Sequence, residues 1–187
     1  MAYGCGVLFD WVALTRRARF KGLFWALFLL FHGLALWIAV VGAPRFQLAE
    51  WLSTVGWVLT AVFAFLLVYS LFWELPTEKT YVAFGGPNRL VTTGMYALAR
   101  HPGVLWYILT ICSLILATRS MVLLVVGPVW AALDVAYAVI EDRVFFPRLF
   151  PHYRHYQEAT PMLIPTYQSV RAALRTSSLL RGGVKRI

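Results

Sequence analysis

Apolar residues run almost unbroken through four stretches, Leu23–Val41, Trp51–Trp73, Val104–Ala117 and Met121–Ile140, and polar residues gather between and after them. At about 1.5 Å of helical rise per residue, three of these runs can cross a bilayer, whose core takes about 20 apolar residues. The third holds only 14 residues between Gly103 and Thr118. It spans only by taking in its neighbours or by lying in a thinned, protein-lined region. Thr118, Arg119 and Ser120 alone separate it from the fourth run, a link short enough to predict an antiparallel helical hairpin. The pattern predicts an all-α polytopic membrane protein of about four transmembrane helices in one domain, 1–187, the last two a tight hairpin, followed by a cytoplasmic helical segment.

Composition narrows this further. Apolar and aromatic residues make up 60% of the chain and charged ones 13%, with a mean hydropathy of +0.70, which excludes an ordinary soluble domain. The net charge of +9 would suggest nucleic acid in a soluble protein. Here it follows the spans. Of the 17 basic residues, only Arg45 and Arg119 fall on one side of a four-span arrangement, so the excess of lysine and arginine on cytoplasmic loops puts both termini and the 74–103 segment in the cytoplasm, facing anionic lipid head groups. No nucleic-acid partner is expected. Cys5 and Cys112 suggest neither a disulfide framework nor a metal site. The cluster Arg16, Arg17, Arg19 and Lys21 follows its apolar stretch instead of preceding it, unlike a removable signal peptide. From 168 to 187, Val170, Ala173, Leu174 and Leu180 are spaced apart from Arg171, Arg175 and Arg181. That suits a basic amphipathic tail on the inner leaflet or a tail held there by charge alone.

Most polar residues that can do chemistry lie in two cytoplasmic pieces, 74–103 and 141–167, so a site is expected where these meet. Arg100, His101 and Pro102 immediately precede the third span, and proline suits the first position of a helix. The residues before it then sit where unpaired N–H groups and the helix dipole attract a carboxylate or phosphate, or act as plain interfacial anchors. Asp134, Tyr137 and Glu141 form one helical stripe at i, i+3 and i+7. An acid inside an apolar span is a functional candidate because burying it unpaired is costly; the structural alternative is that Asp134 pairs with a hydroxyl or with His32. Glu141 and Asp142 at the boundary also read as a solvated acidic pair facing Arg143 and Arg148. The interleaved aromatic and basic residues from Phe145 to Tyr156 suit an interfacial belt or a lid over a planar ligand. His152 and His155 lack a third ligand nearby, so no metal site is expected.

Two segments together resemble the integral-membrane methyltransferases related to isoprenylcysteine carboxyl methyltransferase and bacterial phospholipid methyltransferases. Gly94, Tyr96, Arg100, His101 and Pro102 match that family's G-x-Y-x-x-x-R-H-P stretch. Glu141-Asp142, then Tyr153 and Tyr156, then the segment Pro161 to Pro165, resemble its acidic pair, its Y-x-x-Y and its closing proline segment. The resemblance covers about Leu90 to Pro165. It implies a cytoplasm-facing pocket for S-adenosylmethionine, with Gly94, Tyr96, Arg100, His101, Pro102, Glu141 and Tyr153 as cofactor-binding candidates. It also implies a lipid-like or prenylated acceptor entering from the bilayer beside Asp134 and Tyr137, the catalytic candidates. Val104 and Trp106 depart from the family's tyrosine and glycine, and Tyr137 stands where isoprenylcysteine enzymes carry a basic residue. The leading reading is methyl transfer to a membrane-embedded acceptor. The alternatives are a non-catalytic membrane subunit or assembly factor derived from this family, and a nicotinamide-dependent membrane reductase, since sterol reductases carry a similar R-H-P segment.

Overall fold

The computed structural model describes residues 21–75 and 90–177, with Gly4 and Leu8. The N-terminal basic cluster apart from Lys21, Lys79 and Arg89 of the central segment, and the tail beyond Ser177 lie outside the described residues. Helices α1 (Lys21–Val41), α2 (Glu50–Val68), α3 (Met95–Leu98), α4 (Pro102–Thr118), α5 (Met121–Ile140), α6 (Phe146–Leu149), α7 (Tyr153–Ala159) and α8 (Tyr167–Thr176) follow one another, and no strand occurs among the described residues. The elements correspond closely to the apolar runs, with two differences. Helix α2 continues through a wide π turn, Tyr69–Glu74, and α5 through another, Glu141–Phe145, into α6. The acidic pair thus rides on a helical extension where the sequence suggests a boundary.

Two continuous helices, Glu50–Glu74 and Met121–Leu149, are long and apolar enough to cross a membrane, and Ala26–Val41 and Pro102–Thr118 are shorter apolar helices. Their large side chains point outward: Leu30, Trp37, Trp51, Trp57 and Val125 are all exposed. The closest contact, between α2 and α4, is made instead by small and hydroxylated residues, as expected where surrounding lipid is as apolar as any core. Ser53 Oγ of α2 donates to the Ala117 carbonyl of α4 at 2.7 Å, and Thr60 Oγ1 lies 3.1 Å from Ser113 Oγ. Between them Gly56 lets the two backbones touch, since a Cβ there would stand 2.5 Å from the Ala117 nitrogen. A second small contact, Gly127 of α5 against Ile111 of α4, adjoins the core of Ala39, Ile111, Leu114 and Leu123.

The predicted hairpin is closed by two devices. Helix α4 ends with Arg119 in the left-handed conformation, φ 57°, the usual way of turning a chain out of a helix. Ser120 then caps α5 by accepting from the Leu123 N–H at 3.0 Å while donating to the Ala39 carbonyl of α1 at 2.6 Å. The turn is tied to the α1–α2 link by Phe46 N–H to Arg119 O and Met121 N–H to Pro44 O, both 2.9 Å. One end of the bundle is therefore fastened through backbone, and the far ends of α2, α4 and α5 converge on the polar segments.

Because the α2–α4 approach leaves no room for a side chain, Gly56→Val should lower stability by roughly 1–3 kcal/mol through overpacking. Gly33→Val, at a position where a Cβ meets nothing within 4 Å, serves as the control. Thermal unfolding of both variants in one detergent checks this, and equal midpoints would refute the close approach.

Candidate functional site

The segment entering α4 is shaped by one glycine. Gly94 adopts φ +63°, and any Cβ there would collide with the Glu74 carboxylate. That carboxylate, buried at the end of the α2 extension, accepts the Met95 N–H at 2.6 Å. After the single turn of α3 the chain becomes extended at Ala99. Here Arg100 and His101 donate their backbone N–H groups to the carbonyls of Pro161 and Met162 at 2.9 and 3.1 Å. Pro102 then opens α4 in the position expected for it, with His101 at its N-cap.

The Arg100 guanidinium crosses to the extension of α5 and grips Asp142 with two parallel bonds, Nε to Oδ1 at 2.8 Å and Nη2 to Oδ2 at 2.9 Å. Its Nη1 donates to the carbonyls of Gln157 and Thr160. Tyr153 Oη adds a 2.6 Å bond to Asp142 Oδ1 and Gln157 Nε2 a 3.0 Å bond to Oδ2. Burial alone would raise the Asp142 carboxyl, but His101, Arg100, Tyr153 and Gln157 together hold it well below the usual carboxylate range. His101 stands 3.5 Å away, long for a hydrogen bond, so the 2.6–2.9 Å contacts of Tyr153 and Arg100 carry more of this effect. Burial and the adjacent Asp142 push the Tyr153 phenol upward, so it stays a neutral donor. Tyr156 Oη donates to the Tyr96 carbonyl, and Tyr96 Oη reaches the Ser70 carbonyl at 3.3 Å. Of the two tyrosines of the Y-x-x-Y, Tyr153 thus fastens the α5 extension and Tyr156 the entry segment.

His101 lies beside this hub. Its ring stacks on Phe146, 5.6 Å between centroids and 9° from parallel. Nδ1 is 3.6 Å from Glu141 Oε2, and Nε2, buried, stands 3.5 Å from Asp142 Oδ1 without meeting hydrogen-bond geometry. The structure therefore gathers Gly94, Tyr96, Arg100, His101, Pro102, Glu141 and Tyr153 around one junction. Asp134 and Tyr137 lie farther along α5. Seven residues separate Asp134 from Glu141, about 10 Å of helix. His32, one alternative partner for Asp134, is instead within 2.6 Å of Tyr107 Oη. No described residue is hydrogen-bonded to Asp134. An open cleft of about 510 Å³ borders the junction at Tyr156, lined also by Leu90, Ala97, His152, His155 and Ser169. His101 and Glu141 do not line it.

Sequence reasoning favoured the first acid of the pair, whereas the second, Asp142, is the buried hub. Phe146 belongs to the interleaved aromatic run already singled out, whereas nothing in the sequence points to Gln157 or Glu74. No group of three or more histidine, cysteine or acidic side chains able to hold a metal occurs among the described residues.

The phospholipid methyltransferase family model matches residues 51–150. The chain belongs to the phospholipid methyltransferase family. The matched region runs from α2 through the entry segment and the hairpin to the end of α6 and takes in Arg100, His101, Glu141 and Asp142. Tyr153, Gln157 and the strap at Pro161 lie beyond it. No curated protein and no solved structure matches the chain. Membership of this family sets methyl transfer and phospholipid-like substrates as its chemistry and lends no support to a prenylated acceptor.

Removing one partner of a buried, bidentate pair strands the other charge, so Asp142→Asn should cost on the order of 3 kcal/mol. A carboxyl depressed by folding stabilises fully above its unfolded value of about 3.9, and that stabilisation is lost as pH falls below it. Unfolding midpoints measured on acidification should therefore fall below about pH 4 in the wild type and change less in Asp142→Asn. Parallel acid limbs would show that Asp142 is not the hub.

Proposed function

We propose that this protein is a multi-pass membrane methyltransferase, with four spans and both termini cytoplasmic, that moves a methyl group from S-adenosylmethionine to a lipophilic acceptor embedded in the bilayer. The observation that carries the reading is the facing pair His101 Nδ1 and Glu141 at 3.6 Å, with His101 Nε2 buried at a loose 3.5 Å from Asp142 Oδ1 and short of a full hydrogen bond, in a chain of the phospholipid methyltransferase family. An imidazole that faces a partly exposed carboxylate at more than hydrogen-bond distance, at the start of α4, fits a ligand carrying both an ammonium and a carboxylate. Glu141 is suited to the ammonium or to ribose hydroxyls. His101 and the N-terminal turn of α4 are suited to the carboxylate. Arg100, by contrast, spends its donors on Asp142, Gln157 and Thr160, so its part is to position His101 and Pro102. Gly94, Tyr96 and Tyr153 serve the same end.

S-adenosylmethionine supplies an electrophilic methyl on a sulfonium. The chain's own work is then alignment and exclusion of water. Acceptor access from the bilayer runs along the α5 stripe, where Tyr137 and Asp134 lie at increasing depth from Glu141. Asp134, with no hydrogen-bonded partner among the described residues, is placed to orient the acceptor nucleophile and take its proton. Tyr137 lacks the fixed positive charge that would hold an acceptor carboxylate, which favours an amine or hydroxyl acceptor. The departure at Trp106 favours the second reading, a non-catalytic family member: the indole stacks on Phe63 at 6.4 Å and its N–H is buried without a partner.

Calorimetric titration with S-adenosylhomocysteine separates these readings. Binding is expected, and His101→Ala or Glu141→Ala should weaken it by one to two orders of magnitude, about 1.4–3 kcal/mol. Unchanged binding in both folded variants would remove the site. With labelled methyl donor, Asp134→Asn should reduce transfer to the lipid fraction by about a hundredfold or more, the lower end of what a positioned proton acceptor contributes, and Tyr137→Phe should also reduce it, with donor binding retained in both. Undiminished transfer in both would rule out the α5 stripe.

A further inference from the structure

We propose that α8 lies on an anionic lipid leaflet and that its docking there holds the segment entering α4 in place. Helix α8 opens with a reciprocal capping box, Ser169 N–H to Thr166 Oγ1 and Thr166 N–H to Ser169 Oγ, and presents three different faces. Ser169 and Ala173 are buried, on the side where Thr176 Oγ1 accepts the Gly94 N–H at 2.9 Å. Tyr167, Val170 and Leu174, at i, i+3 and i+7, form an exposed apolar stripe that Ile164 extends; Tyr167 and Ile164 are each 82% exposed. Arg171 and Arg175 flank that stripe one turn apart and are also exposed. From Ala159 to Ile187 the chain has five basic residues and no acidic one.

An apolar stripe bordered by cations fits the boundary between acyl chains and anionic head groups, where each arginine is worth about fivefold in binding. The same helix is bonded to Gly94, eight residues before Pro102, so a leaflet that fixes α8 also fixes the backbone leading to His101. This deepens the membrane reading above and rests on it.

The test uses the full chain in nanodiscs of phosphatidylcholine, with or without phosphatidylglycerol. A spin label is placed at Leu174→Cys after Cys5 and Cys112 are replaced by serine. With phosphatidylglycerol the label should be relaxed by oxygen and shielded from a water-soluble nickel reagent, and hydrogen exchange across 94–101 should slow several-fold. Arg171→Glu with Arg175→Glu should reverse both effects. Equal nickel access in the two lipids overturns the inference, as does dipolar broadening between labels, which would mean that a second copy covers the stripe. Exchange across 94–101 that ignores the charge reversal overturns the coupling. Both readouts are taken without methyl donor, so they stand or fall independently of methyl transfer.

Discussion

A buried guanidinium is tolerated only when nearly all of its donors are used, and the end of the bundle where α4 begins is organised around that requirement. Arg100 satisfies it by reaching two separate parts of the chain: Asp142 beyond α5, and the carbonyls of Gln157 and Thr160 at the end of α7. The bidentate geometry, with each oxygen of Asp142 taking a further donor from Tyr153 or Gln157, supplies direction as well as attraction. Such a network stabilises little against an apolar replacement of the same shape, but it penalises every arrangement in which one member is missing.

The site follows from this fastening because the partners are sequence neighbours. Arg100 precedes His101 and Asp142 follows Glu141, so a bond between the outer members brings the inner members to face each other. Arg100 and Asp142 are consumed in holding the junction. His101 and Glu141 face each other at 3.6 Å, and Phe146 stacked on the imidazole keeps the ring from turning away. In the proposed reading, structural and ligand-binding duties are thus divided between adjacent residues.

That division explains what the sequence disclosed. The apolar runs anticipated the helices almost residue for residue because length and hydropathy dominate there. The hairpin was legible because three residues leave a chain little choice. The gathering of R-H-P, the acidic pair and the Y-x-x-Y was legible as a pattern of motifs. Which acid does what was not, since Glu141 and Asp142 differ only in the side of the helix they occupy, and the π turn at Glu141–Phe145 resets that side in a way no periodicity announces. Glu74 was invisible for a related reason: its importance depends on the left-handed Gly94, twenty residues away, whose missing Cβ makes room for the carboxylate. Gln157 carries no signal of its own, as its contact is a matter of where α7 lands.

The short third helix completes the argument. Helix α4, with 17 residues, is about 25 Å long, less than the roughly 30 Å of hydrocarbon. Each of its ends meets protein. Its start is bonded to the Pro161–Met162 strap and its end to the α1–α2 link. Irregular backbone at membrane depth is permissible where protein covers it, so in the proposed four-span arrangement the short helix lets the polar junction sit deeper than a full-length span would allow. A donor arriving from water and an acceptor anchored in lipid need a shared depth at which to meet. Helix length, set by where Pro102 can start and Arg119 must turn, determines that depth.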